Sequence, residues 1–206
     1  MARLDLPATK ANLLRLKEDL LLAQEGYHLL DEKREILLRE IFSHLADLKR
    51  SRAEAATALA EASAALQDAC LALGREGVVR AALAASLPGE ITVSERSVIG
   101  VVVPLCEWHA NSEPPPWGLL GTSLELDLAR DKFLLALRQL VALAEVEIAF
   151  HRLAAELRKT QKRVNALQNL LIPQYRETVR FLESSLEEKE REALFQLKRL
   201  RRETHG

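Results

Sequence analysis

The chain has 206 residues, of which 29% are charged and only 4% aromatic, with a formal net charge of −1. That balance excludes steering of the whole chain to nucleic acid or anionic lipid. Few aromatics and only eight glycines suit long solvated helices that share a thin apolar seam.

Thr9 is placed to cap a first helix, with Pro7 just outside it. From there apolar residues recur at alternating three- and four-residue steps: Leu13, Leu16, Leu20, Ala23, Tyr27, Leu30, Leu37, Ile41, Leu48, Ala55, Leu59, Ala62, Leu66 and Leu73. Arg34, His44 and Arg52 interrupt this seam, which marks a twist, a partner's face or register control. Half of the residues between Ala53 and Ala72 are alanine. Alanine favours helix and lets a neighbouring helix approach closely, so this stretch should be the slimmest. Gly74 and Gly77 then predict a stop, with a short turn or helix over Val78–Ser86 that Pro88-Gly89 ends.

An insert follows. Ile91-Thr-Val93 and Ser97–Val103 are rich in β-branched residues. Ser94-Glu-Arg96 between them predicts the turn of a small β-hairpin. The run Glu113-Pro-Pro-Pro-Trp-Gly118, with Gly121 after it, cannot be regular helix. An insert this short returns the second helix alongside the first, antiparallel to it.

The second helix starts near Thr122 or Ser123, either of which suits the cap, with Glu125 and Asp127 favouring the dipole of its first turn. Its expected seam reads Phe133, Leu137, Leu140, Ala144, Ile148, Leu157, Thr160, Val164, Leu167, Leu171, Val179, Leu182, Leu186, Ala193, Leu197 and Leu200. Pro173 lies inside this pattern. It costs the helix ~3 kcal/mol, against ~1.5–3 kcal/mol for each leucine buried on either side. The helix is therefore expected to continue with a kink near Asn169–Pro173. Lys198, Arg199, Arg201 and Arg202 close it, where cations suit the C-terminus.

Each of the two patterns would make a helix roughly 90–120 Å long at 1.5 Å per residue. The fold class expected is all-α: a long antiparallel two-helix coiled-coil hairpin with a small β-hairpin insert. The division expected is 1–87 for the first long helix with its short terminal helix, 88–121 for the hairpin and Pro/Gly-rich insert, and 122–206 for the second long helix.

Catalytic chemistry has little to stand on. There is no glycine-rich phosphate loop followed by Lys-Ser/Thr. His28, His44, His109, His151 and His205 are scattered without metal-ligand spacing. Ser123 and Ser184-Ser185 have no histidine base nearby in sequence. The carboxylates of Glu187–Glu192 read as a solvated face with pairs such as Glu187–Arg191. Cys70 and Cys106 point to a reduced cytosolic location and not to a structural disulfide. No signal core opens the chain, and no apolar run reaches the ~18–20 residues of a membrane span. No catalytic residue, cofactor or metal site is expected, and no nucleic-acid partner.

The segment Lys159-Thr-Gln-Lys-Arg-Val-Asn-Ala-Leu167, with Leu171-Ile-Pro173 after it, resembles the C-terminal helix of the D subunit of V-type and A-type rotary ATPases. That family's pattern is close to K-T-x-R-R-V-N-A-L-E with I-P soon after. Leu186-Glu-Glu-Lys-Glu-Arg-Glu192 with Phe195-Gln-Leu-Lys-Arg-Leu200 is similar to its L-E-E-R-E-R-E…F-x-L-K-R-I-K. Pro7-Ala-Thr-Lys10, Leu13-Leu14, Ala23, Gly26 and Leu29–Arg34 resemble its opening pattern, and Val98-Ile-Gly100 with Pro104 a short element of its insert. Gln161 and Gln168 stand where the pattern has arginine and glutamate.

The resemblance implies a central rotor shaft (central stalk) without catalysis of its own, coupling ATP synthesis or hydrolysis to proton or sodium translocation. Implied partners are the rotor's F subunit, the A and B subunits of the catalytic ring and a membrane-proximal socket subunit, with the membrane touched only indirectly from the cytoplasmic side. Candidate contacts with the stationary ring are Thr9, Lys10, Lys162, Arg163, Asn165, Pro173, Lys198, Arg199, Arg201 and Arg202. Candidate contacts at the lower end are Ile91, Val93, Val98, Gly100 and Pro104. The alternative is a coiled-coil stalk or scaffold of another assembly, such as a type III export apparatus.

Overall fold

A computed structural model describes residues 4–85, 89–110, 117–118 and 121–203, without the side chains of Ala110 and residues 200–203. In chain order the elements are α1 (Lys10–Ala84), β1 (Gly89–Val98), β2 (Val101–Ala110), α2 (Leu124–Ala166), a π-helical turn (Leu167–Leu171) and α3 (Ile172–Glu203). They divide into two compact units. The terminal unit takes Met1–Ile36 with Leu157–Gly206, and the middle unit takes Leu37–Glu156. The class is all-α with one two-stranded antiparallel sheet.

In the middle unit, α1 and α2 run antiparallel. Arg52 pairs with Glu147 and Glu61 with Lys132, each at 2.7 Å. Arg52 therefore bridges the two helices and does not interrupt the seam. Beside these pairs the seam is alanine on alanine: Ala58 and Ala62 cluster with Ala136. The alanine-rich stretch Ala53–Ala72 supplies this seam, with Ala55, Ala62 and Ala69 buried. On α2 the seam departs from expectation. Phe133, Leu140, Ile148 and, on α1, Leu59 are exposed, while Ala129, Ala136, Val141 and Ala149 are buried. Small residues win the centre because facing alanines bring the helices too close for a leucine or phenylalanine between them. The large side chains then flank the contact.

Gly74 stops the first helical run of α1, as expected, and divides α1 into two helices across a kink. It adopts φ 73°, ψ 154°, a region open essentially to glycine alone, and helical geometry resumes after it, with Gly77 inside the new segment. The short piece to Ala84 bends back: Val78 and Ala81 join Ala69, Leu126 and Ala129 in one buried cluster. In a straight helix Ala69 and Val78 would lie ~13 Å apart. Trp117 packs on this cluster and donates from Nε1 to Asp127 Oδ1 at 2.8 Å. Neither expected cap on α2 is made by a hydroxyl. Ser123 precedes the first helical residue with its Oγ buried and unpartnered, and Thr122 Oγ1 donates to the Gly118 carbonyl. The proline run at 114–116 lies outside the described residues.

The hairpin turns at Ile99-Gly100, not at Ser94-Glu-Arg96. Both turn residues have positive φ (53° and 75°), as a two-residue type I′ turn requires. Gly100 meets that demand without strain, and no residue of Ser94–Arg96 would. The run Ser97–Val103 is therefore folded in half, with Val98 opposite Val101 and Gly89 opposite Ala110. The register leaves the backbone groups of Val102, Pro104 and Cys106 on the outer edge of β2. Side chains of α2 meet that edge: Arg152 Nη1 donates to the Val102 carbonyl at 2.8 Å, and the Cys106 N–H donates to Glu145 Oε2 at 2.9 Å. Pro104, which has no N–H to offer, sits between them and is buried.

In the terminal unit, α1 and α3 are antiparallel, with Lys10 paired to Glu190 and Lys17 to Glu183. Leu16, Val179 and Leu182 form the core, and Leu4, Ala8, Leu13 and Tyr175 pack on it. Thr178, fully buried, accepts from the Leu4 N–H and donates to the Gln174 carbonyl, which ties the N-terminal segment down. Arg34, in the seam, pairs with Asp31 one turn earlier at 2.7 Å. Pro173 is absorbed as expected by a helix that continues. The distortion is the π turn Leu167–Leu171, closed by the Ile172 N–H to the Leu167 carbonyl, which makes room ahead of the ring.

Two substitutions test this packing. Ala62→Leu should cost about 1–3 kcal/mol by overpacking, read as a lower urea midpoint. Ile99→Asn should raise stability by about 1 kcal/mol, because a β-branched residue is held in the left-handed region there. Thermal melts measure it.

Candidate partner-binding surfaces

The terminal unit holds every residue proposed for contact with the ring, and the middle unit every residue proposed for the lower end. Thr9 acts first as a cap: its Oγ1 accepts from the Asn12 N–H at 3.2 Å. Lys10 is exposed and engaged by Glu190 at 2.8 Å. Lys162 and Arg163 are exposed on α2, and Asn165 Oδ1 accepts from Gln161 Nε2 at 2.8 Å. Pro173 is half-buried. A shallow cleft beside it is lined by Gln24, Tyr27, His28, Gln168, Ile172 and Arg176. Lys198 and Arg199 are exposed on the last turns of α3, and the side chains of Arg201 and Arg202 lie outside the described residues. On the hairpin, Ile91 and Val93 are exposed, Val98 is half-buried and Gly100 forms the turn. Pro104 is buried against its own unit, so it supports the hairpin and offers no surface.

The end of α3 departs most from the expected seam. Ala193 and Leu197, assigned inward by periodicity, are exposed, and every described side chain from Glu187 to Arg199 is solvent-facing. The reason is the length of the partner helix. α1 begins at Lys10, opposite Glu190, so among the described residues the turns of α3 beyond it have no helix to meet. Leu194, Phe195 and Leu197 stand 59%, 71% and 63% exposed there, beside Lys198 and Arg199. A second apolar series, Leu22, Leu29 and Ile36 on α1, lies outside the seam that periodicity assigns, because one seam already accounts for that helix. It is legible as a heptad and is exposed.

The hydrogen bond and charge of Glu190 hold the Lys10 ammonium above its usual 10.5, and Lys10 in turn holds the Glu190 carboxyl below 4.5. Burial, with the nearby Glu145 carboxylate, pushes the Cys106 thiol up. Among the described residues no group of three or more His, Cys, Asp or Glu is placed to hold a metal ion, and no helix is long and apolar enough to cross a membrane.

The Lys10–Glu190 pair is fully exposed, so salt should screen it. A lowered carboxyl value adds stability above pH 4.5 that is lost as pH falls through the folded value. The raised ammonium value adds stability below pH 10.5 that is lost as pH rises through its own. NMR titration should find Glu190 below the usual glutamate value, and Lys10→Met or 1 M salt should return it there.

A family model for the D subunit of ATP synthase matches residues 12–202. Among curated relatives, the V-type ATP synthase D subunit of Thermotoga neapolitana is 39% identical over 193 residues, which cover 94% of this chain and 95% of the relative. The A-type ATP synthase D subunit of Methanosphaera stadtmanae is 38% identical over 193 residues, covering 92% and 90%. That of Pyrococcus furiosus is 36% identical over 196 residues, covering 94% and 92%.

Proposed function

Because the chain belongs to the family of ATP synthase D subunits, we propose that it is the central rotor shaft of a V/A-type rotary ATPase. In this reading it performs no chemistry of its own and couples ATP turnover in an A/B ring to ion translocation in the membrane. The observation that carries the reading is the end of α3. An amphipathic helix with Leu194, Phe195 and Leu197 in water, beyond the reach of α1, is an interface waiting for another protein. The ring of A and B subunits receives this end, and the rotor's F subunit grips the paired helices. The hairpin meets a socket subunit through Ile91, Val93 and the Val98–Gly100 turn. The chain works as a peripheral component on the cytoplasmic side.

Coupling needs a shaft that touches the three catalytic sites unequally, so that rotation shifts which site is open. The π turn ahead of Pro173 and the cations Lys198, Arg199, Arg201 and Arg202 supply such inequality. The scaffold alternative is set aside, since these relatives are all named as components of ATP synthases.

The experiment is reconstitution with A, B and F subunits from the same source, followed by ATPase and pumping assays. One copy per ring and altered turnover are expected. A ring that assembles and turns over identically without this chain overturns the reading. Pro173→Ala, and charge reversal of the four cations, should each lower pumping per ATP several-fold. Unchanged pumping removes those residues from the coupling mechanism.

A further inference from the structure

Beyond Gly74, the short helix of residues 75–84 folds back so that Val78 and Ala81 join Ala69, Leu126 and Ala129. Its outer side is open to water, with Val79 and Leu83 51% and 83% exposed. Two small side chains, Val78 and Ala81, therefore hold it down, with Trp117 packed beside them. Opposing them is the loss of helical hydrogen bonds across Gly74, since the start of a helix leaves its first four N–H groups without helical acceptors. Glycine adopts the ordinary helical φ as readily as the positive one. Folded-back and straight forms thus differ by small opposing terms, which is the balance a two-position element needs.

The short helix is also tethered to the hairpin. β1 starts at Gly89, five residues after Ala84. β2 is held on α2, where Glu145 accepts from the Cys106 N–H and Arg152 donates to the Val102 carbonyl. Lengths decide whether helix and hairpin can move separately. Glu61 of α1 faces Lys132 of α2. On a straight α1, Ala84 would lie ~35 Å beyond that level, while Glu145 lies ~20 Å to the other side of it. The five residues from Ala84 to Gly89 span at most ~18 Å. Gly89 pairs with Ala110, and the four residues of strand from there to Cys106 add ~14 Å, with ~5 Å between the strands. That tether falls well short of ~55 Å. Straightening at Gly74 therefore requires the hairpin to leave α2, and a hairpin docked on α2 requires the fold-back.

We propose that residues 75–84 and the hairpin are one hinged element, closed on α2 in this structure and released as a unit when α1 straightens through Gly74. Release bares Val101 and Val103, which the closed form buries. The element lies wholly in the middle unit, and its opening does not depend on the shaft reading.

The two cysteines report its two ends. Cys70 packs against the fold-back cluster and Cys106 lies on the docked strand, and both are free and half-buried. The test treats the full chain with N-ethylmaleimide and reads each thiol by mass spectrometry. Gly74→Ala, whose Cβ disfavours φ 73°, should speed modification of both thiols at least ten-fold while the helical circular dichroism signal holds. Glu145→Ala removes a contact of the hairpin alone, yet it should speed Cys70 at least three-fold. A change at one thiol only in Gly74→Ala, or at neither, overturns the proposal. So does a Glu145→Ala chain that leaves Cys70 as it was, and this second variant decides the matter if Gly74→Ala loses its helical signal.

Discussion

Two helices packed side by side can each bury only one stripe, and that constraint governs the rest of the molecule. Along most of its length a helix has one helical neighbour within its unit, so most of its surface must be acceptable to water. The high charged fraction and scarce aromatics follow. So does the alanine seam of the middle unit, where the stability lost by burying less area per residue is offset by close, continuous contact. Exposed pairs such as Arg52–Glu147 and Lys132–Glu61 add little energy but fix the register of the two helices.

The same constraint explains where structure other than helix appears. A two-stranded sheet cannot stand alone in water, and β2 is stabilised because α2 supplies Arg152 and Glu145 to its outer edge. Pro104 fits into that edge because the register turns its missing donor away from β1, so no bond of the hairpin is lost. The hairpin is thereby fastened by one strand, while β1 remains exposed along nearly its whole length.

Much of this is legible in the sequence. Three- and four-residue steps locate both helical arms, Thr9 announces its cap, and a proline flanked by strong periodicity predicts a helix that carries on through a distortion. The departures have a common origin. Periodicity fixes a face only to within a residue, so hydrophobicity favours Phe133, Leu140 and Ile148 where close approach selects Ala136, Val141 and Ala149. β-propensity favours an unbroken Ser97–Val103, but the turn is decided by positive φ at Ile99-Gly100, a demand that only the glycine advertises. At the end of α3 the pattern is real but its neighbour is missing, since the reach of α1 sets what Leu197 can bury against. The candidate contacts are legible as residue types, but whether a charge faces its own chain or another depends on geometry. Lys10 is held by Glu190 of its own chain, and Pro104 is turned inward.

The π turn Leu167–Leu171 has a consequence for length. A π turn holds one residue more than an α turn. The Ile172 N–H already reaches the Leu167 carbonyl across the extra residue, so losing one residue there would let the same pair close an ordinary α turn, with everything downstream held in nearly the same direction. Thr178 would keep the Leu4 N–H, and Leu194, Phe195 and Leu197 would keep their outlook. A residue lost from the regular turns of α2 or α3 has no such slack and would turn everything beyond it by ~100°, so Leu167–Leu171 works like an expansion joint, where a single deletion should be far better tolerated than elsewhere in this arm.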